Sequence, residues 1–248
     1  MDQLKDYFVI LLSAGSGERM GNIGKSKPKS LLKIGNETIL YRIFQTLKSK
    51  GAKEINLILG FKYKKILEEM KKFKDIKFNY LVIKDFVNNG SVYSLFKSKD
   101  LWRRTKKKSI LMMHTDLIFN EKYIDNIISD KRLNVIGVQK KNKIQLKKNS
   151  FVAQVNKDMR IKKIGKYSEI KNPYGEILCI NKFSSTMFNQ LIIFLRNYFK
   201  KKNTKITWEY PVSEFAQKNK LYTLKNQNYY WININKPTDI TLAKKILN

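Results

Sequence analysis

The chain has 248 residues, with 51 Lys and Arg against 20 Asp and Glu and a formal net charge of +31. Its 42% hydrophobic content excludes a disordered tail protein despite that charge, and no apolar run approaches the ~20 residues that span a bilayer. A lone cysteine, Cys179, excludes a disulfide scaffold and sets a reducing, cytoplasmic compartment as the expectation. A chain of this length buries roughly three quarters of the surface it exposes when unfolded. The basic clusters Arg103–Lys108, Gln139–Lys148 and Phe199–Lys205 sit in a chain where Lys is scattered through nearly every other segment. They read as a solvated surface rather than a nucleic-acid patch, and their field draws in small polyanions.

Along the chain, Tyr7–Leu12 is an unbroken apolar run ending in a Gly-rich turn, the pattern of a strand buried on both faces. Ile39–Lys50 carries a helical stripe of Ile39, Leu40, Ile43, Phe44 and Leu47, stopped by Gly51. Glu54–Gly60 reads as a strand, Tyr63–Phe73 as a basic amphipathic helix, Lys77–Ile83 as a strand and Ser91–Lys97 as a helix. Ser109–His114 is a fourth strand, Lys122–Ser129 a helix and Asn134–Val138 a fifth strand. Phe151–Val155 and Lys162–Ile164 look like short antiparallel strands. Ser184–Phe199 is a long amphipathic helix, and Thr238–Leu247 is a closing helix capped by Thr238 or Asn235. This alternation predicts an α/β fold, a Rossmann-like three-layer αβα domain with a mixed, mostly parallel sheet. Ligands then bind beyond the carboxyl ends of the strands. No linker, repeat or low-complexity tract divides residues 1–248.

The stretch Leu11-Leu-Ser-Ala-Gly-Ser-Gly-Glu-Arg-Met20, followed by Lys27-Pro-Lys-Ser-Leu-Leu32, carries the most chemistry. A buried strand delivers a turn, Gly15 to Gly17, whose backbone N–H groups can form a phosphate-binding nest. Arg19 offers a planar fork for phosphate oxygens, and Lys29 a mobile charge next to the rigid Pro28. The spacing matches neither a Walker A loop nor a dinucleotide Gly-x-Gly-x-x-Gly.

This arrangement resembles the nucleotidyltransferase superfamily that activates sugar phosphates and phospho-alcohols. Its members read approximately Leu-Ala-Ala-Gly-x-Gly-x-Arg-Met, a variable loop, then Pro-Lys-x-Leu. Ser13 replaces one of the two alanines. The resemblance implies that Ser13, Ala14, Gly15, Ser16 and Gly17 bind nucleotide and that Arg19 and Lys29 are catalytic. Asn88-Asn-Gly-Ser-Val-Tyr-Ser-Leu95 is similar to the Asn-x-x-Ser-Leu segment of bacterial phosphocholine and related cytidylyltransferases, which implies that Asn88, Asn89 and Ser94 lie near the nucleotide. Asn89 and Ser91 are equally good helix N-caps. Residues 1–140 would form the nucleotide-binding part and 141–248 the acceptor-binding and closing part.

The same resemblance implies Mg2+, with Asp116 beyond the strand Ser109–His114 as one ligand. His114 stands where the first acid of an Asp-x-Asp pattern is expected; because Mg2+ prefers oxygen, a structural or hydrogen-bonding role suits it. The late family motif is close to Trp-x-Glu-Ile-Asp, whereas this chain has Trp231-Ile-Asn-Ile-Asn235. Asn235 is the second expected ligand, and each amide removes a negative charge from the site. Aromatics gather late in the chain: Trp208, Tyr210, Tyr222, Tyr229, Tyr230 and Trp231, with Glu209 among them. They suit either core packing or a choline-like head group held by cation–π attraction. The expected acceptor contacts are Trp208, Glu209, Tyr230 and Trp231, with Glu176 added by the resemblance. Cys179 reads as packing. The expected activity is transfer of CMP from CTP to a phosphorylated small alcohol or amino-alcohol, such as phosphocholine or a phosphonate, releasing pyrophosphate. Two alternatives are a sugar-1-phosphate nucleotidyltransferase and a catalytically weak, basic nucleic-acid-binding relative. The expected partners are the nucleotide and the acceptor, with no membrane span; nucleic acid is not expected, and self-association is left open.

Overall fold

Tyr7–Ser13 (β1) is buried at every position after Tyr7, as a strand covered on both faces must be. The computed structural model describes residues 3–105, 107–140, 146–225 and 229–247. The basic clusters Arg103–Lys108 and Gln139–Lys148 therefore lie partly outside the described residues. The other strands of the main sheet are Glu54–Leu59 (β2), Lys77–Val82 (β3), Ser109–His114 (β4), Val135–Gln139 (β5), Phe151–Val155 (β6), Ile161–Lys166 (β7) and Gly175–Ser184 (β8). The eight-stranded sheet runs β7-β6-β8-β4-β1-β2-β3, with β5 paired to β8 off that path. Its core pairs, β1 with β2 and β4 and β2 with β3, are parallel. β8 runs antiparallel to β4, β5 and β6, so the sheet is mixed.

The helices of seven residues or more are Ile39–Ser49 (α1), Tyr63–Met70 (α2), Ser91–Lys97 (α3), Lys122–Ser129 (α4), Ser185–Phe199 (α5), Glu209–Lys218 (α6) and Pro237–Leu247 (α7). α1 buries the whole predicted stripe from Ile39 to Leu47, and each such side chain contributes roughly 1.5–3 kcal/mol on burial. Thr38 caps it by accepting the Tyr41 N–H at 3.0 Å, and Ser184 caps α5 through the Met187 N–H at 3.2 Å. One contiguous apolar core joins sheet and helices, with a satellite of Leu146, Val152 and Ile170 packed with Tyr167.

Three features depart from the sequence reading. The ten-residue β8, which contains Cys179, is not among the strands read from the sequence, and it links the parallel core to the antiparallel edge. α6 was not foreseen, because Pro211 interrupts its pattern; lying in the first turn, the proline forfeits no intrahelical hydrogen bond. The last helix begins at Pro237, not Thr238, with proline at its first position and the Asp239 carboxylate, rather than Thr238 or Asn235, receiving the free N–H groups. A short antiparallel ribbon pairs Leu117–Phe119 with Trp231–Asn233, bringing the late motif beside the end of β4. Among the described residues no helix is long and apolar enough to cross a membrane.

Candidate active site

β1 and β4 are parallel neighbours, so Ser13 and the residues after His114 emerge side by side at their carboxyl ends. Three buried hydroxyls lock these ends to the Pro28–Lys29 turn: Thr115 donates to Ser13 Oγ at 2.8 Å, and Ser13 and Ser30 lie 3.4 Å apart. The chain then leaves the sheet through the exposed Gly15 and the partly exposed Ser16 and Gly17. The N–H groups of these three residues donate to no backbone or side-chain group among the described residues, as a phosphate nest requires. Gly17 has φ +71°, and a Cβ there would stand 3.0 Å from Lys29 Cγ, so the lysine stem lies along the loop.

Lys29 and Arg19 converge. Lys29 Nζ is 2.5 Å from Asp116 Oδ2 and 3.3 Å from Asn235 Oδ1, and Arg19 Nη2 donates to the same amide oxygen at 2.7 Å. Lys29 also reaches the Ile234 carbonyl at 3.3 Å, and Ile234 N–H donates to the Asp116 carbonyl at 2.8 Å. Burial pushes the Asp116 carboxyl up, but the Lys29 ammonium and His114 outweigh it and hold the group below its usual value. Two cations facing one carboxylate leave a surplus positive charge for a phosphate. Asp239, buried, accepts the N–H groups of Asn235 and Lys236 at 2.8 and 2.9 Å and so fixes the Asn235 turn. Sequence reasoning did not assign Asp239 this part; its place three residues into the helix start was the available signal.

Among the described residues no group of three His, Cys, Asp or Glu side chains could hold a metal. The Asp116 carboxylate and Asn235 amide are nevertheless hard oxygens that meet on one ammonium. That donor set fits Mg2+, which commonly takes one or two protein oxygens and completes its shell with phosphate and water.

The Asn88–Leu95 segment works partly as scaffold. Asn88 donates to Asp85 Oδ1 and Asn89 to the Asp85 carbonyl, both at 2.7 Å, folding the loop ahead of α3. Neither Asn89 nor Ser91 caps α3; its N-cap is Gly90, and no side chain bonds there. Ser91 Oγ instead accepts the Trp208 N–H at 3.0 Å, while Gly90 N–H donates to the Thr204 carbonyl at 2.9 Å. Ser94 is buried within α3. The start of α3 thereby fixes the segment that delivers Trp208 and Glu209.

The late aromatics do not form one cage. Trp208 is fully buried with its ring 6.1 Å from that of His114. Tyr210 stacks edge-on with Phe151, Tyr229 with Tyr123, and Tyr222 bridges to Val135 and Arg160. Trp231 is buried on its short strand, whereas Tyr230 is exposed and lines a separate groove of about 230 Å³ with Arg42, Thr46 and Leu247. Glu176 pairs with Gln139 and Val152 near the start of β8. Glu209 is buried, and loss of water raises its carboxyl to about 7. Burial also pushes the Cys179 thiol well up, Glu209 and Asp116 adding to the effect.

Comparison with known proteins gives a consistent picture. The bifunctional IPC transferase and DIPP synthase of Aquifex aeolicus is 25% identical over 240 residues, covering 96% of this chain and 51% of that protein. The CTP:phosphoglutamine cytidylyltransferase of Campylobacter jejuni is 24% identical over 133 residues, 53% of this chain and 52% of that one. The chain spans about half the length of the curated relatives it matches. Among solved structures, the inositol-1-phosphate CTP transferase of T. maritima superimposes with a TM-score of 0.78 at 18% identity, over 96% of this chain and 95% of that one. The CTP:phosphocholine cytidylyltransferase of Streptococcus pneumoniae does so with a TM-score of 0.76 at 15% identity, over 98% and 99%. At such identities these structures share the fold. The Nucleotidyl transferase family matches residues 8–159, well over half of the chain, and on that match this chain belongs to the nucleotidyl transferase family.

Proposed function

We propose that this member of the family transfers CMP from CTP to a phosphorylated small alcohol or amino-alcohol and releases pyrophosphate. The observation that carries the reading is the meeting of Arg19 and Lys29 on the Asn235 amide, beside a loop whose N–H groups remain open. The choice of CTP draws on relatives whose names specify CTP.

In this mechanism the triphosphate lies on the N–H groups of Gly15, Ser16 and Gly17. Arg19 and Lys29 turn from Asn235 and Asp116 to phosphate oxygens, Arg19 exchanging a neutral amide for a charge-assisted partner and Lys29 one anionic partner for another. An oxygen of the acceptor phosphate attacks the α-phosphorus in line, and the α–β bridging oxygen departs with pyrophosphate. No covalent enzyme intermediate forms; positioning and charge neutralisation supply the acceleration. Mg2+ held by Asp116 and the Asn235 amide oxygen would add neutralisation of the phosphate charge. Asp239 keeps Asn235 in place throughout.

The test is pyrophosphate release from CTP, UTP, GTP and dTTP, each paired with phosphorylated alcohols, phosphorylated amino-alcohols and sugar 1-phosphates. Release with CTP and a phospho-alcohol supports the reading. Release only with a sugar 1-phosphate moves the assignment to that branch, and no release from any pair removes it.

A further inference from the structure

We propose that Glu209 is a recognition subsite for a primary ammonium group, so that the acceptor is a phosphomonoester bearing –NH3+ rather than a quaternary ammonium or a neutral polyol. The proposal rests on the nucleotidyl-transfer reading above and narrows its acceptor.

Glu209 is 7% exposed, and in a chain of net charge +31 it has no ion pair among the described residues. Its own backbone N–H and the Thr207 side chain support the carboxyl, yet Oε2 has no hydrogen-bond partner. An unpaired carboxylate in such surroundings is costly, and chains retain one where a ligand completes it. The carboxyl is close enough to Asp116 and Arg19 to sense both charges, and the preceding Trp208 packs against His114 at the end of β4. The two cations of the site are committed to Asn235 and Asp116, and to phosphate during the reaction, so the missing partner must arrive with the substrate.

Two further observations concern the residues around Trp208 and Glu209. His114 Nε2 is buried without a partner, its ring against Trp208, the residue before Glu209. β8 is irregular alongside: its pairing with β5 shifts between Ile177 and Asn181, and Cys179 within that shift takes φ +60°. Such a bulge with a strained residue next to a site re-aims the strand there. Its thiol senses the Glu209 charge. Of the candidate head groups, a primary ammonium donates to Oε2 while supplying charge. A trimethylammonium has no N–H to give, and a hydroxyl leaves the carboxylate charge unmatched. The raised carboxyl of Glu209 is what an ionisable group looks like while awaiting a cation.

The experiment compares phosphoethanolamine and 3-aminopropyl phosphate with phosphocholine and glycerol 3-phosphate, using CTP and Mg2+ for turnover and calorimetric titration of CTP-loaded protein for binding. One of the primary amines should exceed the other two classes by on the order of 100-fold in kcat/KM. Glu209→Gln, near-isosteric and checked for folding by circular dichroism, should raise KM for that amine about 100-fold with kcat within a few-fold and KM for CTP unchanged. Equal use of phosphocholine, or indifference to Glu209→Gln, overturns the subsite while leaving nucleotidyl transfer standing. Should no pair turn over, the titration still decides: amine binding lost in Glu209→Gln supports the subsite, and absence of amine binding overturns it.

Discussion

Asn235, which the resemblance sets in place of an acid, has an amide oxygen that accepts from both Arg19 and Lys29. An amide joins the two cations without adding a negative charge, so beyond the pairing of Lys29 with Asp116 a positive charge is left over for the triphosphate of the proposed reaction. Removing either cation therefore strikes the transition state rather than the fold: Arg19→Ala and Lys29→Ala are each expected to lower kcat by about 100- to 1,000-fold, with an unchanged circular dichroism spectrum. Glu209 illustrates the opposite balance, because its carboxyl titrates near 7 in the folded chain against an ordinary 4.5. Between those values the folded chain keeps a proton that the unfolded chain has released. The contribution of Glu209 to stability is thus lowest above pH 7, by on the order of 3 kcal/mol, and recovers as pH falls through 7 toward 4.5. Glu209→Gln should raise the Tm by roughly 5–10 °C at pH 8 and hardly at all at pH 4.5, as calorimetric scans across pH will show.

At the level of elements, the start of α3 and the segment from Thr204 to Glu209 form one unit. Gly90 and Ser91 hold that segment by hydrogen bonds to Thr204 and Trp208, and a Cβ on Gly90 would overlap the Ile206 carbonyl. Because Ile206 leads directly into Trp208 and Glu209, Gly90→Ala should displace the acceptor side of the site and spare the phosphate loop. Steady-state kinetics are expected to show acceptor KM rising about 10-fold or more while KM for CTP changes little. A matching rise in both constants would refute this division of labour. The same logic accounts for β8: as the strand shared by the parallel core and the antiparallel edge, it ties the Asp116 side of the sheet to the Glu209 side.

For the molecule as a whole, a net charge of +31 creates a field that acts at distances no single contact reaches. In the proposed reaction a triphosphate approaching the ends of β1 and β4 would be drawn by that field and then by Arg19 and Lys29. Raising NaCl from about 50 to 300 mM should increase KM for CTP several-fold with kcat nearly constant, since salt screens encounter more than close contact. A salt-independent KM would show that local contacts alone set nucleotide affinity.

Local pattern reveals whatever neighbours in sequence decide. Strand and helix periods from Tyr7 to Val138, the glycine turn after β1 and the Arg19 and Lys29 pair could all be read from the chain, because burial on both faces and a phosphate nest each leave a contiguous signature. α6 could not, since Pro211 masks its period until the first-turn geometry is known. Nor could the use of Ser91 as a tether or the dispersal of the aromatics, which depend on which faces the packed elements turn toward one another. The centre of the site is the clearest case: Arg19 and Asn235 are 216 residues apart, and only the pairing of Trp231–Asn233 with Leu117–Phe119 sets them 2.7 Å from each other. Residue types prescribe what chemistry is available, whereas contacts across such separations arise from the closing of the sheet and its late ribbon, which no local period encodes.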